Sequence, residues 1–150
     1  MRAVIQRVNK AFVEIDQKII SKINYGLVIF LGIHAEDEIK DLEWLVKKIE
    51  GLRIFSDQNG KMNLSINEID GEIMVISQFT LFASTKKGNR PSFLWAAKPE
   101  KAIPLYEQFI IKMESKTHKK IATGVFGADM KIMLENDGPV TIIIDSQNLE

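Results

Sequence analysis

The chain has 150 residues with 20 basic side chains, 20 acidic ones, two histidines and no cysteine, a length that favours one domain over residues 1–150. Without cysteine it has no disulfide, thiolate nucleophile or thiolate-bound metal, and His34 and His118 alone make an all-histidine metal site a poor reading, while carboxylates alone could still bind magnesium or calcium. A formal charge of zero argues against a uniformly cationic nucleic-acid binder but leaves room for a local positive groove.

The opening MRAVIQRVNKAF lacks the apolar core and small-residue cleavage pattern of an export signal, and no stretch approaches the roughly 20 apolar residues that cross a bilayer. The expected compartment is therefore the cytoplasm, with no membrane partner. Ala3 to Val8, Phe12 to Ile15 and Ile19 to Ile23 read as short strands of an antiparallel meander, separated by polar breaks. Leu27 to Leu31 is a dense apolar run, too short for an independent helix and suited to a central strand.

The period then changes. Ile39, Leu42, Leu45, Val46 and Ile49 form one apolar stripe through Glu36 to Glu50, a helix that Gly51 stops. Six carboxylates against three lysines give this helix a net charge of −3, a face that nucleic acid avoids. Leu52 to Phe55 is a further candidate strand. Ser56 to Gly60 reads as a turn and resembles a calcium loop only superficially.

Ile73 to Ser77 is a strong strand, and it runs directly into Gln78-Phe79-Thr80-Leu81-Phe82. A polar and aromatic segment at the end of an apolar strand presents its groups from a rigid support. Ser77, Gln78 and Thr80 suit ordinary strand-end hydrogen bonding. They also suit catalysis, since hydroxyls serve as nucleophiles and amides stabilise oxyanions. No GxSxG elbow accompanies them, and neither histidine is close in sequence.

Thr85 to Lys101 carries five basic residues and one acidic residue, and Lys112 to Lys120 adds a net +3. Lys86, Lys87 and Arg90, and Lys116, Lys119 and Lys120, are either solvated surface or phosphate contacts. Phe79, Phe82, Phe93 and Trp95 pack or stack on a base. His34 reads as a turn or surface residue, and His118 as part of a basic loop. A helix begins near Pro99 or Pro104 and runs towards Lys116, with Leu105, Phe109 and Met113 at i, i+4 spacing. Gly124 to Gly127 matches neither a dinucleotide fingerprint nor a phosphate loop.

Lys131 to Leu134 and Val140 to Asp145 close the chain as strands around Asn136-Asp137-Gly138-Pro139. Gly138-Pro139 is either a tight turn or a rigid backbone lip. Glycine lacks the Cβ obstruction, and proline fixes φ and accepts either peptide isomer. The fold class is mixed α/β, β-rich, with two principal helices.

Several segments taken together, namely MRAVIQRV, GLRIF, GKMNLS, SQFTLFA at 77–83, KGNRPSF at 87–93, FGADM at 126–130 and NDGPVT at 136–141, closely resemble the bacterial-type D-aminoacyl-tRNA deacylase family over essentially the whole chain. The resemblance implies a β-barrel-like fold with flanking helices and a homodimer. It also implies an esterase that frees D-amino acids, and glycine, from the acceptor end of aminoacylated tRNA without a metal or organic cofactor. On this chain it implies an active-site motif of Ser77, Gln78, Phe79 and Thr80, with the backbone around Phe79 on the ester carbonyl. Thr80 then orients the pocket, while the terminal ribose 2′-hydroxyl of the tRNA organises water or proton transfer. Gly138 and Pro139 correspond to a Gly-cisPro chiral filter reaching into the partner's active site, with Arg7 behind it and Gln6 less secure in that role. FGADM would border the pocket for the terminal adenosine. Two other readings use the same residues: a tRNA-binding module without turnover, and a structural dimer secured by the Gly-Pro turn.

Overall fold

In the computed structural model, which describes residues 1–148, strands alternate with two helices. The elements are β1 (Arg2–Ile15), β2 (Lys18–Ile23), β3 (Gly26–Gly32), α1 (Ile39–Glu50), β4 (Phe55–Ser56), β5 (Met62–Leu64), β6 (Glu72–Ser77), a 3₁₀ turn (Phe79–Phe82), α2 (Pro99–Thr117), β7 (Ala122–Thr123) and β8 (Lys131–Asp145).

The main sheet runs β2-β1-β3-β6-β7, and β8 lies on the other side of β1. The polar break expected after Val8 does not end a strand. β1 is continuous over 14 residues, pairing its first half with β3 and its second half with β2. Asn9 and Lys10 mark the handover, and both reach Glu135 on β8, at 2.9 and 3.2 Å. The simple meander is thus corrected to a hairpin: Ala3 to Val8 and Phe12 to Ile15 belong to one strand, whose second half pairs antiparallel with β2 as its first half does with β3. The sheet curls until Ser21 on β2 donates its hydroxyl to the Thr123 carbonyl on β7 at 2.7 Å, which nearly closes a barrel.

Alternation along β3 and β6 sorts side chains into two cores. Val28, Met74 and Ile76 point into the barrel with Val8, Val13 and Ile23. Leu27, Ile29, Leu31, Ile73 and Val75 point the other way, onto α1 and α2. Helix α1 buries the stripe read from the sequence, Leu42, Leu45, Val46 and Ile49. Helix α2 starts at Pro99, where a missing N–H costs nothing, and carries Pro104 inside it. It ends at His118, which takes a left-handed φ of 55° as the cap. The strand expected over Leu52 to Phe55 is reduced to Phe55–Ser56, paired with β5.

The largest correction concerns the end of the chain. Lys131 to Asp145 is one strand, and both halves pair antiparallel with β1. Asn136-Asp137-Gly138-Pro139 is therefore not a hairpin turn. Val8 faces Asn136 and Gln6 faces Thr141, so residues 137–140 bulge out opposite Arg7 alone.

The parallel β3–β6 pair begins at a point of very close approach. A Cβ on Gly26 would lie 1.8 Å from the Glu72 carbonyl oxygen. Gly26→Ala is expected to lower stability by about 3 kcal/mol, because backbone cannot yield as a flexible side chain does. Urea unfolding checks this, with a lower midpoint and an unchanged slope.

Candidate active site

The parallel pair delivers the chain to the site. Leu31 is in register with Ser77, and the Gln78 N–H donates to the Leu31 carbonyl at 2.8 Å. Phe79 to Phe82 then coil into one 3₁₀ turn. The turn lies directly on Gly32, where a Cβ would meet the Gln78 oxygen, Leu81 and Phe82 at 3.0–3.1 Å. Arg2 holds it from the side, its guanidinium donating to the Leu81 carbonyl at 2.7 Å.

Backbone accounting within this turn is uneven. The Gln78 N–H is engaged with Leu31, the Leu81 N–H donates to the Gln78 carbonyl at 3.3 Å, and the Ala83 N–H donates to the Thr80 carbonyl at 3.0 Å. The N–H groups of Phe79 and Thr80 have no backbone acceptor outside the turn among the described residues. First-turn donors of this kind are the groups that a ligand or an oxyanion satisfies.

Ser77, Gln78 and Phe79 line a cavity of about 290 Å³. Its opposite wall is Phe126 to Met130, and its floor includes Leu31, Ile33, Ala97 and Ala102. Two sequence motifs separated by nearly fifty positions thus meet in one hollow. Gly127 turns that wall with a φ of 76°, and Phe126 packs edge-on against Tyr106, with ring centroids 5.9 Å apart. The apolar floor from β3 and the start of α2 carried no signal in the sequence, since Ala97 and Ala102 look like any other alanines.

Thr80 is exposed and does not line the cavity; its hydroxyl accepts a hydrogen bond from the Gln78 side-chain amide. Phe79 is 57% exposed and meets Phe93 edge-on at 5.1 Å. His34, read as a turn or surface residue, opens a turn in which its carbonyl accepts the Asp37 N–H at 3.1 Å, but it is only 7% exposed and sits edge-on to Phe82. Among the described residues no group of three or more histidine, aspartate and glutamate side chains converges as a metal site, and no helix is long and apolar enough to cross a membrane.

Gly138 and Pro139 lie elsewhere, exposed, with a cis peptide bond between them and a Gly138 φ of 127°. Buried Arg7 fastens this bulge. Its Nε lies 2.8 Å from the Asp137 carboxylate and 3.2 Å from the Asp137 carbonyl, while Nη1 donates to the Ile54 carbonyl at 2.6 Å. Asn136 ties the flanks, accepting from the Val140 N–H at 2.9 Å and donating to the Gln6 side chain at 3.2 Å. Arg7 pairs with Leu27 at the start of β3, whereas the cavity opens at the end of β3 beside Arg2. Five residues of strand separate them, about 17 Å. Within one chain the bulge and the cavity do not meet.

The family model for D-Tyr-tRNA(Tyr) deacylase matches residues 4–145. The chain belongs to this family. It is 64% identical over 148 residues to a D-aminoacyl-tRNA deacylase of Cytophaga hutchinsonii, covering 99% of each chain. It is 59% identical over 150 residues to one of Flavobacterium psychrophilum, covering 100% of each. Among solved structures it is similar to one titled c-Myc DNA Unwinding Element Binding Protein, with a TM-score of 0.91, 40% identity and coverage of 97% of this chain and 98% of that one. A probable eukaryotic D-amino acid tRNA deacylase shares the fold, with a TM-score of 0.83 at 15% identity over 95% of this chain and 97% of that one.

Tyr106 supports the cavity wall from behind, donating its hydroxyl to the Val75 carbonyl at 2.8 Å. Burial pushes its phenol up to about 12 from an ordinary 10.0. The unfolded chain therefore loses this proton first, and the stability contributed by the neutral phenol falls as pH rises from 10 to 12. We expect the stability difference between the parent and Tyr106→Phe to shift by about 2–3 kcal/mol against the parent across that interval. Denaturant unfolding at pH 9, 10.5 and 12 measures it.

Proposed function

We propose that this protein hydrolyses the ester bond of D-aminoacyl-tRNA, releasing the D-amino acid and free tRNA. The observation that carries the proposal is the pair of unspent N–H groups at Phe79 and Thr80, beside a cavity that Ser77, Gln78 and Phe79 line. An ester carbonyl acquires negative charge as water adds to it, and fixed backbone donors stabilise that charge without reorganising. In this reading the Phe79 N–H receives the oxyanion, and Gln78 and Thr80, already hydrogen-bonded to each other, hold the turn in shape. Phe126 to Met130 close on the terminal adenosine. No protein triad is required, because the ribose 2′-hydroxyl beside the ester assists water or proton transfer. The reaction uses no metal or organic cofactor, and its substrate places the protein in the cytoplasm.

The filter in this reading is Gly138-Pro139, acting in the cavity of a second copy. Support comes from geometry: the bulge is exposed, fastened by Arg7, and unable to reach its own cavity. The free side of β8 suits a second copy, with Ile143 68% and Met133 52% exposed along it. Backbone carbonyls at the lip would collide with an L side chain and leave space for a D side chain or for the hydrogen of glycine. Selection by collision is indifferent to what the D side chain is.

Matched D- and L-aminoacyl-tRNAs, followed for ester cleavage above the spontaneous rate, test this reading. The expected outcome is D-ester cleavage at least about 100-fold faster than L-ester cleavage, a clash of about 2.7 kcal/mol or more. Equal rates would remove the filter, and tRNA binding without turnover would leave a binding module. Replacing the terminal 2′-hydroxyl by hydrogen is expected to slow turnover by about 100-fold or more, a size typical of a lost proton-transfer partner; an unchanged rate would remove substrate assistance.

A further inference from the structure

A second recess of about 280 Å³ lies on the far side of the 3₁₀ turn, lined by Arg2, His34, Phe82, Ser84, Lys86 and Trp95 among others. The same two pieces of chain separate it from the first cavity. The turn gives Phe79 to one and Phe82 to the other, and the segment before α2 gives Ala97 to one and Trp95 to the other. Two residues of chain span at most about 7 Å. The two recesses are therefore close enough that a single strand with its last unit in the first cavity could reach the second within about one nucleotide.

Trp95 is built as a platform. One face of the indole stacks on His34, with centroids 5.8 Å apart and planes within 15°. His34 is buried and braced edge-on by Phe82 at 5.2 Å, while its Nδ1 accepts the Glu36 N–H at 3.1 Å. The Ala35 N–H fixes the Trp95 carbonyl at 2.9 Å. Yet Trp95 remains 58% exposed. A ring held from behind and open in front loses little further freedom when a flat partner lands on it. Phe93 is less suited to this task, because its ring already meets Phe79 edge-on.

The charges around the ring point to RNA. Lys86 lines the recess, Lys87 and Arg90 follow on the same loop, and none of the three forms an ion pair among the described residues. The recess carboxylate, Asp145, is matched by Arg2 at 2.8 Å, so it presents no uncompensated negative charge to a phosphate. Unpaired cations beside an open aromatic face are the means by which proteins hold single-stranded nucleic acid.

We propose that Trp95 stacks on the unpaired base immediately 5′ of the terminal adenosine of the tRNA substrate, with Lys86 on the adjoining phosphate. The proposal rests on the reading of the first cavity as the aminoacyl-adenosine site. It gives the protein a means to prefer the whole acceptor end over its last nucleoside alone.

Two measurements decide it. The first compares kcat/KM on a D-aminoacyl-tRNA with that on the corresponding D-aminoacyl-adenosine, which ends before the platform. Trp95→Ala is expected to shrink the preference for the tRNA about tenfold, and Trp95→Phe, which keeps a flat ring, is expected to retain most of it. An unchanged preference in Trp95→Ala, including one in which both substrates lose equally, would overturn the platform. The second needs no turnover. In a Trp44→Phe background Trp95 is the one remaining tryptophan. Its emission is expected to be quenched by uncharged tRNA with an intact 3′ end, and not by tRNA lacking the last three nucleotides. Equal responses, or none, would overturn the platform. Should the parent hydrolyse neither ester, the deacylase reading fails, and the emission experiment still decides whether Trp95 meets the RNA end.

Discussion

The parallel pairing of β3 with β6 is the constraint from which the site follows. Gly26 lets the two backbones approach at one end, and Leu31 aligned with Ser77 finishes the ladder at the other. Both strands are buried on both faces, so a slip of one residue would exchange the barrel-facing and helix-facing side chains throughout. Register is thus fixed by two cores at once. The last ladder bond, from the Gln78 N–H to the Leu31 carbonyl, determines which amides remain unspent in the next turn. The chemistry proposed at Phe79 would in this sense be a boundary effect of sheet packing.

Much of this was legible from residue patterns. The apolar runs of β3 and β6, the stripe of α1 and the proline start of α2 are local signals, and each element formed where its pattern lay. What local patterns concealed was pairing. Asn9 and Lys10 resemble a break because they are polar and exposed, but they sit where β1 exchanges one neighbour for another, and Glu135 across the sheet receives both. Asn136 to Pro139 resemble a turn because their composition is that of a turn. Nothing within four residues reveals that both flanks pair with the same strand, or that Asn136 bridges them.

The candidate functional residues divide along the same line. Ser77 to Thr80 and Gly138-Pro139 stood out as motifs, whereas the chemistry assigned to them is carried by backbone groups that every residue possesses. Composition cannot register a free N–H. It registers still less of His34, whose place between Phe82 and Trp95 depends on three segments meeting. The deacylase reading and the platform reading both draw on these convergences, and neither uses an acid–base pair of side chains.

Arg7 has a consequence for how two copies would come together. A single buried guanidinium grips the Asp137 carboxylate and carbonyl on one side and the Ile54 carbonyl on the other, so the bulge is anchored to the interior of its own subunit. The bulge is thus held in shape by contacts within a single chain. Were two copies to dock as proposed, the aim of the lip would be set by the interior of each subunit and not by the contact itself.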